Sequence, residues 1–474
     1  MKKVLSLVLA VLMLVAVFAG CSSKTPAPET KKDETPAADA AKDNAETPAD
    51  AETPADAEES HDPVTLKVWL YDDPGVDEVY EQWAGYVKEA YPWISMEFEV
   101  LPYDSGPEKF TVACATGTTP DIYFDCYSRI AAPVNAGLCI DVTDVLEANS
   151  DLFISEQRDG IVDGKYHYLA TNSGAAYCMF VNTDMTDAAG ITDMLPADRL
   201  TWSYDEFLAF LRAAKEANPD VYPMDLFAGS QSSDAWYYTW FLSNGVQLTN
   251  SDLTATSFNE GENREKALEV LDLFKTMIDE ELVPAGCATM IDQDLQALYF
   301  GGKAMIAHGA FSNGPYFKKL QDEGSSLPFN FTAVAVPTKE GKEPGMSACF
   351  GSYGFCGFDN GGHTEAIKLA LNVFLAHPEL QDQVTTLTSR ISLMKDTVVE
   401  YETEEIAQMM DIGVNYTAGY TDSSFGILQP WWTDFRGTFY PNLQDFFVGN
   451  IDAGTMLDNW QSQGDAIIAA AQAQ

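Results

Sequence analysis

From Pro63 to Leu70 the chain alternates polar with apolar and β-branched residues (PVTLKVWL), and the run breaks at Asp73-Pro74-Gly75, as a strand ending in a loop does. Residues Val76 to Glu89 are compatible with a helix that Tyr91-Pro92 stops, and Ile94 to Leu101 (ISMEFEVL) alternates again. The order is β-α-β. A further helical stretch leads to Thr119-Pro120-Asp121 and a short apolar strand, Ile122 to Phe124. This alternation predicts a mostly parallel sheet with helices on its faces. Ser203 and Glu206 form a capping box ahead of Phe207, Phe210, Leu211 and Ala214, which line one helix face. The same spacing recurs in Ala267, Val270, Leu271, Phe274 and Ile278, and in Ala366, Leu369, Ala370, Val373 and Phe374. Strand-like runs at Ala304 to Ala307, Phe329 to Val336 and Gly354 to Phe358 fall between these helices, so the alternation outlasts one domain and predicts two α/β lobes.

Ahead of the first strand the pattern is different. Lys2 and Lys3 precede an uncharged apolar run from Val4 to Ala19, which is short for a membrane span and ends at Phe18-Ala19-Gly20-Cys21. Small residues before a cysteine resemble the lipobox of bacterial lipoproteins, with Phe18 in place of the usual Leu. That resemblance implies that residues 1–20 are a signal peptide and that Cys21 becomes a lipidated amino terminus. An ordinary secretory signal with an incidental cysteine is the alternative. Residues 21–62 are built of Thr, Pro, Ala and acid with no aromatic residue, and ETPADA-like units recur in them. Such a stretch cannot bury a core and reads as a disordered tether that holds a globular domain near a membrane.

Charge and cysteines narrow the classes further. After the signal and tether are set aside, 21 basic and 60 acidic residues remain, a net charge of −39. That field repels nucleic acid and argues against it as a partner. Seven cysteines besides Cys21 (Cys114, Cys126, Cys139, Cys178, Cys287, Cys349 and Cys356) include no C-x-x-C pair, so neither a zinc site nor a disulfide framework is legible. Several lie in apolar runs, as buried thiols do.

The order of weak motifs from Pro63 to Gln474 resembles the family 1 extracellular solute-binding proteins, which include the maltodextrin-binding protein. AYPWISMEFEV, ATGTTPDIYF and NAGLCIDVTDVL come first. DGKYHYLATNSGAAYCMFVNTDMTDAAGI, LTWSYDEFLAFLRAAK and FGGKAMIAHGAF follow, and FGSYGFCGF with HTEAIKLALNVFLAHPELQDQ closes the series. The resemblance implies a type II periplasmic-binding-protein-like fold. Its lobes would be 63–176 with 352–390 and 177–351 with 391–474, joined by three chain crossings near Tyr177, Phe350 to Tyr353, and Ser389 to Lys395. The ligand would lie in the cleft between them, beyond the carboxyl ends of strands.

In that cleft the loop after the first strand would place Tyr71 and Asp73, and the strand ending at Phe124 would deliver Asp125, Tyr127 and Arg129. Matched to the family pattern, the facing lobe would contribute Trp236, Tyr237, Phe311, and Trp431 or Trp432, with Tyr177 at a crossing. Phe311 stands where the family often has Trp, and Ala175 lies where some members carry a sugar-binding acid, which puts maltodextrin itself in doubt. Trp236, Tyr237 and Trp240 cannot all share one helix face, so at least one belongs to the core. Asp121, after Pro120, reads as a turn or cap acid, and Trp431 and Trp432, after Pro430, could instead close a helix start against the core. Rings and acids together suit a sugar: a ring covers the apolar face of a pyranose while polar groups satisfy its hydroxyls.

The function these observations imply is capture of a small polar solute, a mono- or oligosaccharide, by lobe closure, and its delivery to the permease subunits of an ABC importer. The protein would be monomeric, anchored by lipid on the outer face of the cytoplasmic membrane, and would need neither cofactor nor metal. It has no G-x-x-x-x-G-K-[ST] sequence, so ATP hydrolysis falls to another subunit. A surface-tethered glycoside hydrolase or an adhesin is the alternative. With 72 acidic residues a carboxylate pair always exists, so composition cannot decide for or against a hydrolase. No G-x-S-x-G elbow and no H-E-x-x-H site is present.

Overall fold

A computed structural model describes residues 61–473 apart from Pro74, Tyr103, Asp104, Arg158 and Ser232. The signal, Cys21 and the tether up to Ser60 lie outside the described residues, and no helix among those described is long and apolar enough to cross a membrane.

Nine strands build two principal sheets. They are β1 (Val64–Tyr71), β2 (Ile94–Leu101), β3 (Ile122–Cys126), β4 (Leu169–Ser173), β5 (Tyr177–Asn182), β6 (Ile306–Ala310), β7 (Phe331–Val334), β8 (Ser352–Gly357) and β9 (Ile391–Ser392). The first sheet has the order β9-β4-β8-β3-β1-β2, and the second has the order β6-β5-β7. The chain therefore passes from the first sheet to the second between β4 and β5, returns before β8, and leaves again after β9. Three crossings join two lobes, each with its own apolar core.

The expectation of a mostly parallel arrangement holds only for part of the first sheet. β1 pairs in parallel with β2 and β3, whereas β8 runs antiparallel to both β3 and β4, β9 is antiparallel to β4, and the second sheet is antiparallel throughout. The reason is topological. β8 re-enters the first sheet from the other lobe, so it starts where β4 finishes, with Ser352 opposite Ser173. Its register shifts between Tyr353 and Gly354, and only glycine fits there, because a Cβ on Gly354 would stand 2.1 Å from the Leu169 carbonyl oxygen.

The amphipathic helices form where the spacing predicts them. Tyr204–Ala217 begins with the Ser203/Glu206 capping box and buries Phe207, Phe210, Leu211 and Ala214, and Gly261–Asp279 and Thr364–Ala376 bury their predicted stripes at Ala267, Val270, Leu271 and Phe274 and at Ala366, Ala370, Val373 and Phe374. All seven described cysteines are free, and burial pushes the Cys126 and Cys287 thiols up to about 11, so both are protonated at neutral pH.

Candidate functional site

Two cavities open between elements of the two lobes. The narrower, about 470 Å³, lies against the crossings and is walled by Tyr71, Asp73, Gly174, Tyr177, Phe350, Tyr353 and Arg390. The wider, about 1480 Å³, takes Ser128, Arg129 and Pro133 from the first lobe and Asp292, Gln296, Trp432 and Arg436 from the second. Tyr316, on the helix Asn313–Asp322, borders both.

In the narrow cavity Asp73 is held by a bidentate ion pair, with Arg390 Nη1 and Nη2 each 2.7 Å from one of its oxygens. Burial pushes the Asp73 carboxyl up, and the charge and hydrogen bonds of Arg390 oppose it. The guanidinium also lies 3.7 Å from the Tyr353 ring centroid and 5.2 Å from that of Tyr71. Asp73 therefore anchors the hinge-side wall, and both of its oxygens are already engaged.

Asp125 behaves similarly. Its side chain is buried, Tyr123 donates to it at 2.5 Å and the Cys126 amide at 2.6 Å, and Arg129, in the first turn of the helix that follows the strand, stands 3.8 Å away. Burial raises its carboxyl, against Arg129, the Tyr123 hydroxyl and the Cys126 amide. Arg129, lying 5.2 Å from the Tyr71 ring, is the member of this group that reaches the wide cavity. Tyr127 packs inward, 4.9 Å from the Tyr168 ring.

The second lobe departs most from expectation. Trp236, Tyr237 and Phe311 have no exposed surface and do not face the cleft. The helix Ser233–Ser243 is buried on every side from Ser233 to Leu242, so none of its faces is left for a cavity. The Tyr237 hydroxyl donates to the Phe227 carbonyl at 2.6 Å and accepts from the Phe227 amide at 3.1 Å, which satisfies it internally. Phe311 fills the space beside Gly413, where a Cβ would come within 2.5 Å of its ring. Trp431 similarly covers Gly426, and it is Trp432 that borders the wide cavity, its indole packed 5.3 Å from Phe425 and 6.1 Å from Phe350.

Five of the eleven expected ligand residues thus line a cavity: Tyr71, Asp73 and Tyr177 the narrow one, Arg129 and Trp432 the wide one. Asp125, Tyr127, Trp236, Tyr237, Phe311 and Trp431 stand behind the walls. Sequence reasoning missed Tyr316, Asp292, Gln296, Arg390 and Arg436. Three of these left a trace: Asp292 and Gln296 are four apart at the start of a helical segment and so share a face. Arg436 is likewise four residues beyond Trp432, and its guanidinium grips Asp234 at 2.7 and 3.0 Å while lying 5.3 Å from the Phe350 ring.

A cleft lined by rings, guanidiniums, a carboxylate and amides suits polar ligands with some apolar surface. Comparison with known proteins agrees with a binding role. A binding protein of Brucella abortus (strain 2308) is 23% identical over 393 residues, spanning 81% of this chain and 89% of that one. Among solved structures, a chitin oligosaccharide binding protein superposes with a TM-score of 0.70 at 19% identity, over 86% of this chain and 100% of that one. The GacH receptor of Streptomyces glaucescens, solved unliganded and with acarbose, gives a TM-score of 0.68 at 14% identity, over 86% and 99% of the two chains. At these identities the structural likeness shows the fold, two lobes of the periplasmic-binding type. The family assignment rests on the profile described as bacterial extracellular solute-binding protein, which matches residues 73–379, from the end of β1 to the start of the helix Pro378–Thr388, and the chain belongs to that family.

Proposed function

We propose that this protein is the substrate-binding component of an ABC importer and that it captures a mono- or oligosaccharide in the wide cavity between its lobes. The observation that carries the reading is the composition of that wall. Tyr316, 41% exposed, offers a ring face to a pyranose, while Arg129, Arg436, Asp292, Gln293 and Gln296 offer donors and acceptors to its hydroxyls. The names of structurally similar proteins, a chitin oligosaccharide binding protein and an acarbose receptor, support a sugar over other solutes. A volume of about 1480 Å³ exceeds the roughly 300–1,000 Å³ usual for small-ligand pockets and favours an oligosaccharide.

Binding would rotate the two lobes about the crossings, the last of which lies beyond β9 and not at 390 as expected because Ile391–Ser392 pairs in the first sheet, and the closed form would be what the permease recognises. The sugar would leave unchanged. The protein acts as a monomer, held outside the cell by a lipid on Cys21 and by the 21–62 tether, which raises its concentration near the permease. Cys21→Ala should release it from the membrane fraction, and retention there would refute the anchor.

The substrate is tested by calorimetry and thermal shift with maltotriose, chitotriose and xylotriose. A true ligand present at a hundred times its Kd stabilises the fold by about 2.7 kcal/mol and is recovered intact. Silence with every sugar and a response to an oligopeptide would reject the carbohydrate, and recovery of cleaved sugar would reject binding without chemistry.

A further inference from the structure

His308 lies in β6 with its ring enclosed by the second lobe, stacked on Phe227 at 4.6 Å between centroids and tilted against Trp236 at 5.6 Å. Both ring nitrogens meet carboxylates: Nδ1 is 2.5 Å from Asp225 Oδ2, and Nε2 is 2.7 Å from Asp292 Oδ1. A ring that donates from both nitrogens is an imidazolium. Burial works against its charge, but the two carboxylates outweigh burial and push His308 up to about 10. One imidazolium between two carboxylates leaves one net negative charge. Asp225 is fully buried and also takes the His308 amide at 3.0 Å, whereas Asp292 keeps 29% of its side chain exposed in the wide cavity. The surplus charge is therefore presented to whatever occupies that cavity.

Asp292 is also fixed in direction. His308 holds Oδ1, and Gln296 Nε2 donates to Oδ2 at 2.7 Å. Asp292 opens the helix Asp292–Phe300, where the first amides favour negative charge. Each carboxylate oxygen retains room for one more donor. A carboxylate held from two sides can accept a pair of neighbouring hydroxyls without first losing rotamer freedom.

We propose that Asp292 orients the bound sugar by accepting hydrogen bonds from a vicinal pair of its hydroxyls, and that His308 is the positioning residue that holds the carboxylate for this purpose. The inference rests on the carbohydrate reading and assigns that site its polar anchor. A triad that served only the stability of the lobe would leave affinity unchanged once the protein had folded.

The test titrates the full chain with whichever of maltotriose, chitotriose and xylotriose binds tightest. Asp292→Asn keeps the shape and removes the charge, and should weaken binding about thirtyfold or more, with Tm held within a few degrees. Monodeoxy analogues then locate the contact. Removing a hydroxyl that costs the wild type about tenfold should cost Asp292→Asn less than about threefold, because one acceptor oxygen has already been replaced by a donor amide and the charge is gone. For His308, the Gln variant retains a donor toward Asp292 and should stay within about fivefold of wild type. His308→Leu combined with Asp225→Asn removes the donor together with the buried charge, and should bind as weakly as Asp292→Asn. Adding Asp292→Asn to that pair should cost nothing further. Should the His308 variants fail to fold, Asp292→Asn and the deoxy analogues decide alone. Binding by Asp292→Asn within about threefold of wild type, or equal deoxy penalties in both proteins, would overturn the inference and leave the carbohydrate reading standing. A wild-type protein that binds none of the three sugars would overturn both.

Discussion

The helices Ser233–Ser243 and Trp432–Arg436 are both rich in rings, yet one is core and the other is wall. In the first, Trp236, Tyr237, Tyr238, Trp240 and Phe241 point in all directions around the axis and every one is buried. Such a helix has no polar face with which to meet water or a sugar. In the second, Trp432 is also buried, packed on Tyr238, Phe425 and Phe435, and it is Arg436, four residues on, that carries polar groups to the cavity. The two are coupled, because Arg436 binds Asp234 at the start of the buried helix. A ring-rich helix meets the cavity through the polar residue it carries there; the number of rings in a segment does not locate the site.

The strongest way to break this comparison is to truncate a ring on each side. Trp236→Ala should cost about 3–5 kcal/mol of stability, read by denaturant melts, with sugar affinity altered only through His308 and its partners. An equal and direct loss of affinity in stably folded protein would return Trp236 to the cleft. Arg390→Leu should be nearly as costly, about 3–5 kcal/mol, because it leaves Asp73 buried without its partner, and Asp73→Asn in the same chain should recover much of the loss.

A pH titration sharpens the contrast between the lobes. His308 is raised from 6.5 to about 10 by Asp225 and Asp292, the two charged groups bonded to its ring. The folded state binds that proton more tightly than the unfolded chain, so this stabilisation is fully present below about pH 6.5. It declines as pH rises and is lost once pH passes about 10. Chemical denaturation across that window should show falling stability in the wild type and a flatter profile in His308→Gln. The smallest expected effect is on Tyr316→Leu, which keeps apolar bulk at the cavity and removes the exposed ring face. It should weaken sugar binding about tenfold, or about 1.4 kcal/mol, in calorimetry. No change would move the ligand away from that wall.

Much of the fold was legible because its signals are local. The alternation in β1 and β2, the Ser203/Glu206 box and the apolar stripes of three helices each depend on residues within a few positions of one another. Strand direction was not legible: β8 looks like any other apolar run, and it is reversed because the chain returns to the sheet from the other lobe. In the site, Tyr71, Asp73 and Arg129, named from the ends of the first and third strands, reach a cavity, as do Tyr177, named at a crossing, and Trp432, named from the family pattern. Trp236, Tyr237 and Phe311 were also named from the family pattern and do not.

The sequence by itself determined where strands and helices form, that they alternate through two α/β lobes, and that the chain resembles solute-binding receptors. These follow from periodicity, capping and motif order, which operate over short spans of chain. Only the tertiary structure decided which charges meet. Asp73 pairs with Arg390 across 317 positions, Asp234 with Arg436 across 202, and Asp225 with His308 across 83. Pairings at such separations are set by how the lobes pack, and packing decides which carboxylates are sealed within the protein and which, like Asp292, remain open to a ligand.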